Sequence, residues 1–190
     1  MNDLIKIAEK FSPINLNEMD NVKLMSRSDT KFAFQISKLP ILLKEMLQFY
    51  KVLEINGKLI HDYKSLYFDT IDRKFYLDHH NGRVNRNKVR FREYVGSDLT
   101  FLEIKCKNNK GKTIKKRMKV DSINSVLSDE QQKYIHNIIG EKISLDSKQW
   151  INFSRITFVH KIYKERLTID INLKFEEKNK SGNLNQIAIG

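Results

Sequence analysis

RNKVRFREYV, residues 86–95, decides the fold. It places a basic side chain at every second position: Arg86, Lys88, Arg90 and Arg92. Asn87, Val89 and Phe91 lie between them. Side chains on a strand alternate between its two faces. The stretch therefore reads as a strand with one densely cationic face and one partly apolar face.

The pattern recurs on either side. In FLEIKCK (101–107), Phe101, Glu103, Lys105 and Lys107 alternate with the apolar Leu102, Ile104 and Cys106. In TIKKRMKV (113–120), Thr113, Lys115, Arg117 and Lys119 alternate with Ile114, Lys116, Met118 and Val120. Arg166, Thr168 and Asp170 alternate with Leu167, Ile169 and Ile171, and Arg27, Asp29 and Lys31 share a face of SRSDTKF. Gly96-Ser97-Asp98 and Asn108-Asn109-Lys110-Gly111 are turn signals, so residues 86–95, 99–107 and 112–120 form an antiparallel meander.

Further strands are expected over 22–35, 52–57, 62–70, 151–163 and 165–173, and residues 176–185 read as a polar loop. Helices are expected over 2–11, over 38–50 with a proline in the first turn, and over 128–139. The last has Ser128 as N-cap, Gln131 completing a capping box and Gly140 past its end. Residues 71–82 read as a helical turn, and the terminal IAIG as the start of a strand cut short. The fold class is α+β: an antiparallel β tunnel or barrel of about eight strands with peripheral helices, in one domain.

The 190 residues carry 35 Lys+Arg against 23 Asp+Glu, a net charge of +12 that points to a polyanionic partner. Cys106 is the only cysteine, so an intrachain disulfide is excluded and a reducing cytoplasm is the expected setting. The N-terminus lacks the apolar core of a signal peptide, and no run is long enough for a membrane span. The histidines show no metal-ligand spacing such as H-E-x-x-H, and no Gly-rich phosphate loop is present.

A polar sheet face usually meets water. Several adjacent cationic strands are different, because like charges on neighbouring strands repel when directly opposite. Such a wall is destabilising unless an anion lies against it. Phe32, Phe68 and Phe91 sit opposite the basic faces and Tyr94 and Phe101 do not, so a base-stacking surface for single-stranded nucleic acid fits less well. Dense Lys and Arg with a few carboxylates suits phosphate chains with a divalent metal.

SRSDTKFAF (26–34), SLYFDTIDRKFYLDHHNG (65–82), RNKVRFREY (86–94), FLEIKCK (101–107), TIKKR (113–117), FSRITFVHKIY (153–163) and ERLTID (165–170) together resemble a VTC-type polyphosphate polymerase domain, within the triphosphate tunnel metalloenzyme (CYTH-like) superfamily. The resemblance implies an eight-stranded tunnel whose basic side chains hold polyphosphate and whose carboxylates hold Mn²⁺ or Mg²⁺. It implies transfer of the γ-phosphoryl of ATP onto polyphosphate. Arg90, Arg92, Lys105 and Arg155 would be the catalytic clamp. Lys31, Lys115 and Arg166 would bind phosphate with them, and alternation adds Arg117 and Lys119. Glu103 and Asp170 would be the metal ligands.

Two departures stand out. The superfamily opening Glu-x-Glu-x-Lys is here Arg27-x-Asp29-x-Lys31, and the chain ends about where a final strand with a metal-binding glutamate would begin. A truncated C-terminus is therefore expected. The alternatives to synthesis are hydrolysis of tripolyphosphate or another triphosphate, and polyphosphate binding without chemistry. No specific nucleic acid is expected as partner.

Overall fold

The computed structural model describes residues 2–20, 29–110, 113–178 and 184–189. The architecture is α+β, an antiparallel sheet with peripheral helices. The chain divides into two compact units, residues 1–61 with 154–171, and residues 62–153 with 172–189.

In the first unit, α1 (Asn2–Ala8), α2 (Leu16–Asp20) and α3 (Leu39–Met46) accompany β1 (Pro13–Ile14) and β2 (Tyr50–Leu53). β1 runs parallel to β2, which pairs antiparallel with the end of β7 (Asp146–His160). β7 then turns into β8 (Arg166–Lys178). His160 Nδ1 shapes this turn by accepting the backbone N–H groups of Ile162 (3.1 Å) and Tyr163 (3.0 Å). The core unites Ile7 and Phe11, Leu39, Leu43 and Met46 of α3, Val52, and Ile156 and Phe158 of β7. Phe11 and Phe158 pack with ring centroids 4.9 Å apart.

The second unit is built on a meander: β3 (Ile60–Asp69), β4 (Arg86–Tyr94), β5 (Leu99–Lys107) and β6 (Thr113–Val120), each antiparallel to the next. Its apolar parity is the one the sequence predicts. Val89, Phe91, Leu102 and Ile104 are fully buried with Leu66 and Phe68. Each such side chain contributes about 1.5–3 kcal/mol relative to exposure. α5 (Asp129–Ile139) covers that face through Ile135. Its capping box is formed: Ser128 Oγ accepts Gln131 N–H at 3.2 Å, and Gln131 Oε1 accepts Ser128 N–H at 3.0 Å. Gly140, at φ 87°, ends the helix in the left-handed conformation. With α5 on one side, the cationic parity faces the other way.

α4 (Lys74–His80) follows β3 through the YFDT stretch. Asp69 is buried and organises this corner. Its Oδ1 accepts the N–H groups of Thr70 and Phe75, and its Oδ2 that of Tyr76, all at 2.8 Å. Asp69 therefore caps α4.

Several expected boundaries move. Of the strand predicted over 22–35, residues 22–28 lie outside the described residues, and 29–35 join no strand. The polar loop predicted over 176–185 is partly strand: β8 runs to Lys178 and pairs with β9 (Leu184–Ile189), Glu176 opposite Gln186. The strand expected over 151–163 begins earlier, at Asp146, so Trp150 lies inside β7 and packs on the second core. Cys106 is half-buried beside that core, and burial pushes its thiol pKa up.

Asp69→Ala should cost about 2–3 kcal/mol, since three backbone donors lose a charged acceptor. Chemical denaturation measures this. Hydrogen exchange should show the Phe75 and Tyr76 amides losing protection while α5 keeps its own.

Candidate functional site

The meander's register stacks its cations into rows. Lys88, Lys105 and Lys115 form one row. Tyr67, Arg90, Glu103 and Arg117 form the next. Ser65, Arg92, Phe101 and Lys119 form the third. These rows hold seven cations against one carboxylate, Glu103.

Glu103 is 2% exposed. Arg90 grips it with two donors, Nε at 2.9 Å and Nη2 at 2.6 Å, both to Oε2. Lys115 Nζ stands 2.7 Å from the other oxygen, Oε1. Burial alone would raise the Glu103 pKa, but the charges of Arg90 and Lys115 outweigh it and hold the carboxyl below its usual range. For Arg90 the balance is the same in kind: burial opposes its charge, Tyr67 and Glu103 favour it, and the pKa rises. Arg90 Nη1 also donates to Tyr67 Oη at 2.7 Å.

Arg92 is placed differently. Its Nε donates a 3.3 Å hydrogen bond to the buried Ser65 Oγ. Its guanidinium lies 5.4 Å from the Tyr63 ring centre and 5.6 Å from that of Phe153. Among the described residues no carboxylate pairs with it. Burial and the neighbouring Arg90 charge both push its pKa down. A half-buried guanidinium with aromatic walls and no counter-ion is suited to an anion with two or more oxygens. Arg117 lies 4.5 Å from the Phe101 ring centre, and Lys105, Lys115, Arg117 and Lys119 are exposed.

The remaining expected site residues belong to the first unit. Arg155 forks onto Asp170, Nε to Oδ1 at 2.6 Å and Nη2 to Oδ2 at 2.7 Å. A predicted phosphate ligand and a predicted metal ligand thus hold each other. Lys31 is exposed in the segment that joins no strand, and Arg166 opens β8. Arg27 lies outside the described residues.

Both Glu103 oxygens face cations, both Asp170 oxygens face Arg155, and the described residues hold no cluster of three or more His, Cys, Asp or Glu that could bind an ion. Hard cations such as Mg²⁺ and Mn²⁺ want carboxylate or phosphate oxygens.

The cations were legible in the sequence, but their neutral partners were not singled out. Tyr63, Ser65 and Tyr67 share the odd parity of β3, which was the available signal. Phe68 and Phe91 lie on the opposite, buried face as expected, while Tyr63 and Tyr67 join Tyr94 and Phe101 on the cationic side. Lys88, already on the cationic parity of the sequence, is set in the lysine row by register.

This arrangement, a buried Arg–Glu–Lys centre inside a cationic sheet face, can be set beside known proteins. The family model for the VTC domain matches residues 26–188. The chain belongs to the VTC family. Membership implies a polyphosphate-related function. A search of curated proteins gave no match. In this VTC domain no helix among the described residues is long and apolar enough to cross a membrane.

Arg90→Ala should destabilise the fold by about 3 kcal/mol, because it leaves a buried carboxylate short of its main partner. Arg92→Ala should cost about 1 kcal/mol or less, since it removes cation–π contact but also relieves like-charge repulsion. Urea unfolding separates the two. With its folded-state pKa lowered, Glu103 stabilises fully above the ordinary glutamate range and loses that contribution as pH falls through the folded value. The Tm gap between the wild type and Glu103→Gln should therefore narrow between about pH 6 and about pH 3.

Proposed function

We propose that the cationic face of β3 to β6 binds polyphosphate, and that the domain transfers the γ-phosphoryl of ATP to the end of the chain. The observation that carries this is the in-register rows: seven cations against one carboxylate that is already neutralised. A phosphate chain supplies the counter-charge this face lacks.

In this reading Arg92 is the principal clamp. It can bind phosphate oxygens in two-pronged fashion, and no protein carboxylate has to be displaced first. Lys105, Arg117 and Lys119 neutralise charge along the chain, and Lys115 does so while touching Glu103. Arg90 holds the face in shape and lends its charge. Arg155, Arg166 and Lys31 belong to the first unit and are not assigned to this face.

The terminal oxygen of the acceptor chain attacks the γ-phosphorus. The bond from the γ-phosphorus to the bridging oxygen breaks, and ADP leaves with that electron pair. No general base is needed, because the attacking oxygen is already anionic. What the protein supplies is positioning and compensation of charge on the transferred group. Mn²⁺ or Mg²⁺ belongs here to the substrate, carried on its phosphate oxygens, and Glu103 and Asp170 are not assigned to it. The single thiol of Cys106 fits a reducing cytoplasm, where ATP is available.

A second reading, polyphosphate binding without chemistry, is favoured by the engagement of both Glu103 oxygens.

Tripolyphosphate at about 100 times its Kd should stabilise the folded chain by about 2.7 kcal/mol. Arg92→Ala should abolish most of that shift, and an oligonucleotide of equal charge should give a smaller one. Equal shifts with both anions would make the face a general polyanion surface. Product analysis with ATP then separates long chains (synthesis) from orthophosphate (hydrolysis) and from no turnover (binding).

A further inference from the structure

The turn from β7 into β8, HKIYKE (160–165), carries its apolar side chains outward. Ile162 is 81% exposed, Tyr163 68%, and Phe49, just before β2, 48%. Single exposed apolar side chains are ordinary on a protein surface, but a joined group is not. These are joined through His160. Its ring stacks on Phe49 at 19° with centroids 6.4 Å apart, meets Tyr163 at 4.7 Å, and meets Tyr50 edgewise at 5.0 Å and 80°. All of them belong to the first unit.

The turn is firmly held, so the exposure is part of its design. His160 Nδ1 accepts the N–H groups of Ile162 and Tyr163. His160 N–H donates to the Glu165 carbonyl at 3.0 Å, Glu165 N–H to the Tyr163 carbonyl at 2.8 Å, and Lys161 N–H to the Phe49 carbonyl at 2.8 Å. Lys161 Nζ donates to the carbonyls of Leu47 and Gln48, both at 3.0 Å. The backbone N–H groups of residues 160–163 and of Glu165 thus all find partners within the protein, as a surrounding poor in hydrogen bonds requires. Charge around the turn is one-sided. Lys161, Lys164 and Arg166 stand against Glu165, whose carboxylate already accepts the Tyr50 hydroxyl.

We infer that this turn is a membrane-contact tip: Ile162, Tyr163 and Phe49 enter the interface of an anionic lipid bilayer, and Lys164 and Arg166 meet its headgroup phosphates. Apolar side chains at a turn apex, flanked by cations, suit acyl chains lying beneath a layer of phosphates. Tyrosine belongs at that level, with an apolar ring and a polar hydroxyl. A second copy of the chain fits the tip less well, because it brings the same cations and a further net charge of +12. Contact through three side chains is weak and reversible, so it depends on anionic lipid and is screened by salt. The inference stands on the first unit alone and does not depend on the phosphate reading.

Tryptophan fluorescence with vesicles tests this. Ile162→Trp puts a reporter on the tip, and Ile71→Trp, at a site 84% exposed in the second unit, is the control. The vesicles are phosphatidylcholine with phosphatidylglycerol, brominated on the acyl chains. Tripolyphosphate is present throughout to occupy the cationic face of β3 to β6. Emission of Ile162→Trp should shift to the blue and be quenched by the bromine. Ile71→Trp and the wild type, whose Trp150 packs on the second core, should be unaffected. Vesicles of phosphatidylcholine alone should quench less. Adding Tyr163→Asp to Ile162→Trp should weaken vesicle binding about tenfold. No quenching of Ile162→Trp, or equal quenching of Ile71→Trp, would overturn the tip. A blue shift of Ile162→Trp that grows with protein concentration and needs no lipid would also overturn it, making the turn a contact between copies.

Discussion

Everything on the cationic face depends on one buried carboxylate. Glu103 stands centrally in the meander, held by Arg90 on one oxygen and faced by Lys115 on the other. Without it, Arg90 and Arg117 would confront each other across β5 with no intervening negative charge. Burying a charge is costly unless it is paired, and here the pairing is with groups that themselves need neutralising. The opposite face stabilises the strands by ordinary burial, with Phe91, Leu102 and Ile104 fully enclosed under α5. The sheet thus tolerates a wall of like charge because its other side is a hydrophobic core.

This division gives the two central arginines different duties, although they are two residues apart on one strand. Arg90 has a salt bridge and a tyrosine hydroxyl as partners and is part of the framework. Arg92 has a serine hydroxyl and two aromatic faces, and its charge remains available to a ligand. A double substitution of both would confound folding with binding. The same reasoning separates Lys115, which touches Glu103, from Lys119, which stands in the row of Arg92 beyond Phe101.

The sequence made the meander legible because strand parity is a local property. Turn residues at 96–98 and 108–111 separate the strands, and apolar alternation names the buried side of each. The capping box at Ser128 and the stop at Gly140 were legible for the same reason. What parity cannot give is register, so the Arg90–Glu103 pair, the lysine row and the Tyr63–Tyr94 contact emerge only when strands are laid side by side. The extension of β8 through Glu176 and Glu177 was hidden because backbone pairing to β9 sustains a strand whatever the side-chain polarity. Asp69 could be read as a turn former, but two of its three backbone donors, Phe75 and Tyr76, come from α4, which only the folded corner brings within reach.

The central claim is that one face of one sheet meets the phosphate chain. Lysine-reactive labelling with and without polyphosphate, read by mass spectrometry, tests it most directly, because strand β6 carries its own control. Lys115 and Lys119 lie in the cationic rows, whereas Lys116 stands opposite Ile104 on the other face. The account predicts that polyphosphate protects Lys115 and Lys119, with Lys105 beside them, and leaves Lys116 as reactive as before. Equal protection of Lys116, or no protection of Lys119, would contradict it.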